Sequence, residues 1–228
     1  MAERRYLYLI WKDPETRTNY TIGKLSRAEK YTFEYFDEYK KAQAMGWNLL
    51  ESFPEEILYE SDIMFPAFSS RLPDRKRRDI NTILKKYGLN DYDEYELLRK
   101  SGARLPIDTY EFIDPIFPED ETIERDFYIM GIRYNTPCKG KDCSALTKLE
   151  IGDYLSFIPE PQNPHDENAI RIETQNGERL GYVPRYYNRE ILARLRKQMS
   201  YSCRVLEINM SENCSECIKV KLNIPSAQ

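Results

Sequence analysis

The chain has 228 residues, with 34 Lys and Arg against 38 Asp and Glu and a formal net charge of −4. A protein that coats duplex nucleic acid nonspecifically has the opposite balance, so any nucleic-acid contact here must be local. Hydrophobic residues make up 41%, with 18 Tyr and 9 Phe, enough to build cores and exclude wholesale disorder, while no stretch approaches the roughly 20 apolar residues that span a bilayer.

Tyr6 to Trp11 reads as a strand and lacks the small-residue cleavage site of an export signal. A cytoplasmic protein without membrane contact is expected. Asp13-Pro14-Glu15-Thr16 is a turn, and Thr21 to Leu25 and Tyr31 to Tyr35 show the alternation of a half-buried sheet. Ile80, Ile83, Leu84 and Tyr87 recur at helical spacing before Gly88, and Asp91 to Lys100 predicts a second helix ended by Ser101-Gly102. Two prolines and an acidic run in Asp114-Pro115-Ile116-Phe117-Pro118-Glu119-Asp120-Glu121 read as a linker over 116–122.

Beyond it, Phe127 to Tyr134, Asp153 to Ile158, Ala169 to Thr174 and Arg179 to Val183 are strand candidates, the last two joined across Asn176-Gly177, a hairpin signal. Asn188 is placed to cap a helix over Arg189 to Met199, where Ile191, Leu192, Leu195 and Met199 share a face. Tyr201 to Met210 and Cys217 to Ile224 predict a closing hairpin. The fold class expected is α+β: an N-terminal mixed α/β domain, then a small OB- or SH3-like β-barrel with one or two helices.

Between Arg179 and Arg204 stand seven basic residues against one acid, Glu190. Such a run is ordinarily a solvated helix face and gains meaning only beside a site. Five cysteines, an odd number without a secretion signal, argue against structural disulfides. The short spacings of Cys138 with Cys143 and Cys214 with Cys217 are of the kind that supply zinc ligands two at a time. The pairs are far apart and fit no named zinc fold, so a structural zinc stands as the alternative to ordinary cysteines, and no other cofactor is expected. No P-loop, H-E-x-x-H or G-x-S-x-G occurs, and the chain has one histidine. A non-enzyme is expected; a metal-dependent nuclease is the enzymatic alternative, because carboxylate–metal sites need no histidine.

In the second half, G-I-R-Y (131–134), I-G-D-Y-L-S-F-I-P-E-P-Q-N-P-H-D-E-N-A-I-R-I (151–172) and G-E-R-L-G-Y-V-P-R (177–185) precede the helix in that order. This order resembles the HIRAN domain, over residues 123–224. The resemblance implies an OB-like barrel that grips single-stranded DNA at a free 3′ hydroxyl end. By position it implies that Arg133 and Tyr134, on a strand, hold a phosphate and stack the terminal base. It puts His165 where members bear a tyrosine that helps hold the last nucleotide. Asp166 falls where an aspartate accepts a hydrogen bond from the 3′ hydroxyl, and Tyr182 and Arg185 face the end nucleotides. The chemistry agrees: a single strand needs an aromatic platform and a few cations, and a carboxylate, which repels phosphate, makes sense there as a hydroxyl acceptor. The histidine at 165 and the insertion bearing Cys138 and Cys143 depart from the pattern. The competing structural reading is that Asn163 and Asp166 cap a tight turn.

The first half, with F-P-A-F (65–68) and R-L-P-D-R (71–75) before a helix, is similar to the small N-terminal subdomain of HipA-type toxin kinases, over residues 5–113. No kinase core follows it. The resemblance implies a protein-docking module, or an antitoxin-like regulatory subunit that binds a separate HipA-type kinase. Residue by residue, Phe65 and Phe68 read as core and Arg71 to Arg78 as solvated basic positions. The domain layout expected is 1–115 HipA-like, 116–122 linker and 123–228 HIRAN-like.

Overall fold

A computed structural model describes residues 6–36, 38–135, 148–209 and 216–226. The chain divides into two units, Met1–Pro115 and Ile116–Gln228. Sheet predominates in both, with few and short helices.

The first unit contains β1 (Tyr6–Lys12), β2 (Asn19–Arg27), β3 (Tyr31–Tyr35), α1 (Tyr39–Ala44), β4 (Tyr59–Ser61), α2 (Pro66–Ser69), α3 (Ile80–Lys86), α4 (Glu94–Ser101) and β5 (Tyr110–Ile113). Its strands form one five-stranded sheet in the order β4-β3-β2-β1-β5. Alternation and register put Leu7, Leu9, Leu25 and Phe33 on the buried face, and Ile22, at the register shift between Leu9 and Ile10, joins the same core. The helices cover that face with Phe68, Leu84, Leu97 and Leu98. Asp93 starts α4 by accepting from the Glu96 amide at 3.0 Å, and Gly102 ends it at φ +70°. Phe65 and Phe68 are core, as expected. Arg71 is not solvated: only 9% of its side chain is exposed. Its guanidinium forks onto both Asp108 oxygens at 2.6 and 2.9 Å and donates to the Ala103 and Tyr110 carbonyls. It thereby ties the end of α2 to the approach of β5, a structural use that a charge run does not reveal.

The second unit contains β6 (Ile123–Tyr128), α5 (Ile132–Asn135), β7 (Leu155–Pro159), β8 (Ile170–Thr174), β9 (Arg179–Tyr182), α6 (Arg185–Arg196), β10 (Ser202–Ile208) and β11 (Ile218–Ile224). Its strands make two three-stranded antiparallel sheets, β10-β11-β6 and β7-β8-β9. Among the described residues no continuous ladder closes them into the expected barrel. Two isolated bridges, Met130↔Tyr182 and Tyr154↔Arg204, join the sheets instead.

The segment expected as a linker is built into this unit. Ile116 and Phe117 are buried. Arg194, 6% exposed, donates to the carbonyls of Phe117 (2.8 Å), Pro118 (3.4 Å) and Asp120 (3.0 Å). The basic run therefore does not act as one surface patch, since Arg194 is spent inside. Helix α6 also departs from expectation: it starts at Arg185 behind Pro184, whose fixed φ suits a helix entry, and Asn188 is a buried residue within it.

Candidate functional site

The turn between β7 and β8 is wound by its own side chains. The Glu160 amide donates to the Ala169 carbonyl at 2.8 Å, closing the loop at its neck. Inside, the Asn163 carboxamide oxygen accepts from the His165 amide at 3.0 Å, and Asp166 Oδ1 accepts from the Asn168 amide at 2.9 Å. These are the Asx-type turns that Asn and Asp favour. Pro161 and Pro164 fix φ between them. The loop is then tied to α6, because Asn188 Nδ2 donates to Asp166 Oδ2 at 2.8 Å and Arg185 donates to the His165 carbonyl at 3.0 Å. The Arg185 Nε lies 3.7 Å from Asp166 Oδ2.

Beside this loop is an open cleft of about 570 Å³, lined by Glu160, Pro161, Gln162, Asn163, Pro164, His165, Arg179 and Tyr182. Glu160 organises it. Its carboxylate takes a hydrogen bond from Asn163 Nδ2 at 3.0 Å and from the Tyr182 hydroxyl at 3.0 Å, and is paired with Arg171. Arg179 stands 3.6 Å away and also donates to the Tyr182 hydroxyl. Burial opposes ionisation of Glu160, but the hydrogen bonds from Asn163 and Arg171 and the charges of Arg179 and Arg171 outweigh it and hold the carboxyl below its ordinary range. An ionised acid in an otherwise cationic cleft is thus neutralised locally.

Arg133 and Tyr134 reach the same neighbourhood, but not from a strand. β6 ends at Tyr128, and Gly131 at φ +72° turns the chain into α5, whose Ile132 is fully buried. Reciprocal backbone bonds between Met130 and Tyr182, 2.9 and 2.8 Å, hold this corner against β9. A Cβ on Gly131 would lie 3.7 Å from Tyr182 Cδ2 and 3.8 Å from Tyr134 Cδ2, so the two rings flank the glycine. Each ring carries a cation: Arg133 lies 4.6 Å from the Tyr134 centroid, and Arg179 lies 5.1 Å from that of Tyr182. Tyr134 is 73% exposed.

Of the expected site residues, His165 and Tyr182 line the cleft, while Tyr134, with Arg133 against its ring, flanks Gly131 beside Tyr182 and is outside the lining. Asp166 and Arg185 brace the loop and are also outside the lining. Sequence reasoning missed Glu160, although it stands in E-P-Q-N-P at the neck where Arg171 returns. It also missed Arg179, counted only as part of a charge run. Of the four cysteines weighed for zinc, Cys138, Cys143 and Cys214 lie outside the described residues, and Cys217 is buried. Among the described residues no three His, Cys, Asp or Glu side chains gather as a metal site requires. The fifth cysteine, Cys203, is buried, and that burial pushes its thiol up to about 12, so it stays protonated.

Two known families match parts of the chain. The HIRAN domain matches residues 124–225. The HipA N-terminal domain matches residues 17–106, within the first unit. Solved structures similar to the chain include a protein from Lactobacillus plantarum, 20% identical, covering 46% of this chain and 97% of that one at a TM-score of 0.39. The HIRAN domain of human HLTF is 14% identical, covering 46% of this chain and 80% of that one at a TM-score of 0.36. No curated protein matches. Among the described residues no helix is long and apolar enough to cross a membrane.

Proposed function

We propose that the HIRAN-type unit binds single-stranded DNA at a free 3′ hydroxyl end and is not itself an enzyme. The observation that carries this reading is the pair of tyrosine rings, Tyr134 and Tyr182, flanking Gly131 beside the cleft, each with a guanidinium against it. Rings offer stacking that every base can use, and guanidiniums meet phosphates. The HIRAN match over the same residues supports the reading. His165, exposed on the cleft and held by Arg185 through its carbonyl, offers polar ring nitrogens where a larger ring would add stacking area.

Asp166 is assigned the end hydroxyl in this proposal. Each of its oxygens takes one hydrogen bond from the protein, and a carboxylate has about four acceptor sites, so it can accept another without releasing the loop. A terminal phosphate would meet Asp166 with like charge. The test is fluorescence anisotropy with short single strands ending in 3′ hydroxyl or 3′ phosphate. Tighter binding of the hydroxyl strand is expected, and Asp166→Ala erases the difference while Arg133→Ala weakens both strands and lowers the salt slope. Equal affinity for both ends removes the end-reading claim, and no binding of either removes the whole proposal.

The HipA N-terminal match favours a second reading for the first unit, a module that docks on a separate HipA-type kinase. A tagged chain co-expressed with such a kinase retains it through purification on this reading; an eluate without kinase refutes it.

A further inference from the structure

We infer that the outer face of the β7-β8-β9 sheet is the track along which a single strand leaves the cleft, and that Tyr154 with Arg204 forms a second stacking platform at its far end. The inference rests on the single-strand reading of the cleft.

Register fixes which side chains share this face. Leu155 and Phe157 are buried, so Tyr154, Ser156 and Ile158 point outward. Ser156 pairs with Glu173 and Ile158 with Arg171, while Arg171 pairs onward with Tyr182 and Glu173 with Arg179. One continuous face therefore carries the cleft's Tyr182 at one end and Tyr154 at the other. Tyr154 is 52% exposed, and the Arg204 guanidinium lies 4.9 Å from its ring centroid. The backbone bridge between these two residues fixes their partnership. Gln175 donates to the Tyr154 carbonyl at 3.2 Å and to the Ser156 hydroxyl at 3.3 Å, steadying the same edge.

An open tyrosine ring with a guanidinium on it repeats the arrangement of the cleft. Arg171, in the row of Ile158 and Tyr182, pairs with Glu160 and with Glu173 at 2.6 Å, and Arg179 stands 3.6 Å from Glu160, so two guanidiniums offset the two carboxylates along the passage. Arg204 adds a further cation at the exit, against the Tyr154 ring. From Ile158 to Tyr154 the strand advances four residues at about 3.3 Å each. A stacked single strand rising about 3.4 Å per nucleotide covers that span with about four nucleotides. A dinucleotide held in the cleft cannot reach Tyr154; an octanucleotide can.

The test uses the full chain, a thymidine dinucleotide and a thymidine octanucleotide, both with 3′ hydroxyl ends, followed by proton–nitrogen chemical shifts and by affinity. The octanucleotide is expected to shift the amides around Tyr154 and Arg204, and the dinucleotide only those around the cleft. Tyr154→Ala is expected to weaken the octanucleotide about tenfold and leave the dinucleotide unchanged. Tyr154→Phe, which keeps the ring, retains affinity for both. Indifference of the octanucleotide to Tyr154→Ala, or an equal loss for both lengths, overturns the track while leaving the cleft reading in place. Binding of neither oligonucleotide by the unaltered chain overturns both.

Discussion

Gly181→Ala is expected to destabilise the second unit by about 3 kcal/mol or more, near the top of the range for a single added methyl. Gly181 sits inside β9, and a Cβ there would lie 2.3 Å from the Met130 carbonyl oxygen and 2.7 Å from Ile129 Cγ2. The first of these is backbone, and it belongs to the bridge that joins the two sheets. It cannot move aside as a flexible side chain would, so either the bridge opens or β9 withdraws from it. Far-UV circular dichroism would show the midpoint falling by about 10 °C or more for a unit of this size. Both tryptophans, Trp11 and Trp47, lie in the first unit, so their fluorescence follows that unit separately. An unchanged midpoint would mean that the bridge contributes little to the unit's cohesion. Gly177→Ala is the informative comparison: its Cβ meets nothing within 4 Å, and only its φ of +79° penalises it.

Arg194→Ala is expected to cost about 3–5 kcal/mol, because it leaves its buried acceptors unmatched. The Phe117, Pro118 and Asp120 carbonyls would lose their shared donor, and Glu190, 3.2 Å from Nη1, would lose its cation. Arg194→Lys restores the charge but not the planar fork, so it should recover only part of the loss. The measurements are urea unfolding and limited proteolysis, with cleavage between residues 116 and 122 appearing in both variants and strongest for alanine. Full rescue by lysine would show that charge alone, rather than the fan of hydrogen bonds, holds the segment.

Legibility in the sequence followed the range of the interactions. β1, β2 and β3 are legible in the first unit but the short β4 and β5 are not, and the loop after β7 is readable because Asn and Asp wind their own backbone within a few residues, as Asn163 and Asp166 do here. What failed depends on partners far away in the chain. Asn188 has the residue type of a cap, but Pro184 begins the helix and Asn188 turns inward to Asp166, 22 residues earlier. Arg194 and Arg71 read as surface charges because nothing nearby in sequence announces the carbonyls they serve. Arg133 and Tyr134 were placed on a strand because the apolar alternation of Phe127 to Ile129 runs on toward them; the break is Gly131, whose positive φ only the fold makes visible. Closure into the expected barrel, not seen among the described residues, is a related matter. Six strands are legible, the first of them displaced, since β6 spans Ile123–Tyr128 and the expectation ran from Phe127 to Tyr134; whether the sheets close by ladders or by single bridges is decided by register between strands distant in the chain.

The fan of hydrogen bonds around Arg194 also changes where this protein can be cut. Family likeness begins at residue 124, and an excised piece drawn to that limit would look complete by sequence. It would nevertheless discard Ile116 and Phe117 from its interior and leave a buried guanidinium facing water-filled space. A fragment intended for binding work therefore needs to start ahead of Ile116. One that starts at the family limit would be expected to express poorly for reasons unrelated to nucleic acid, and a negative binding result from it would carry no weight.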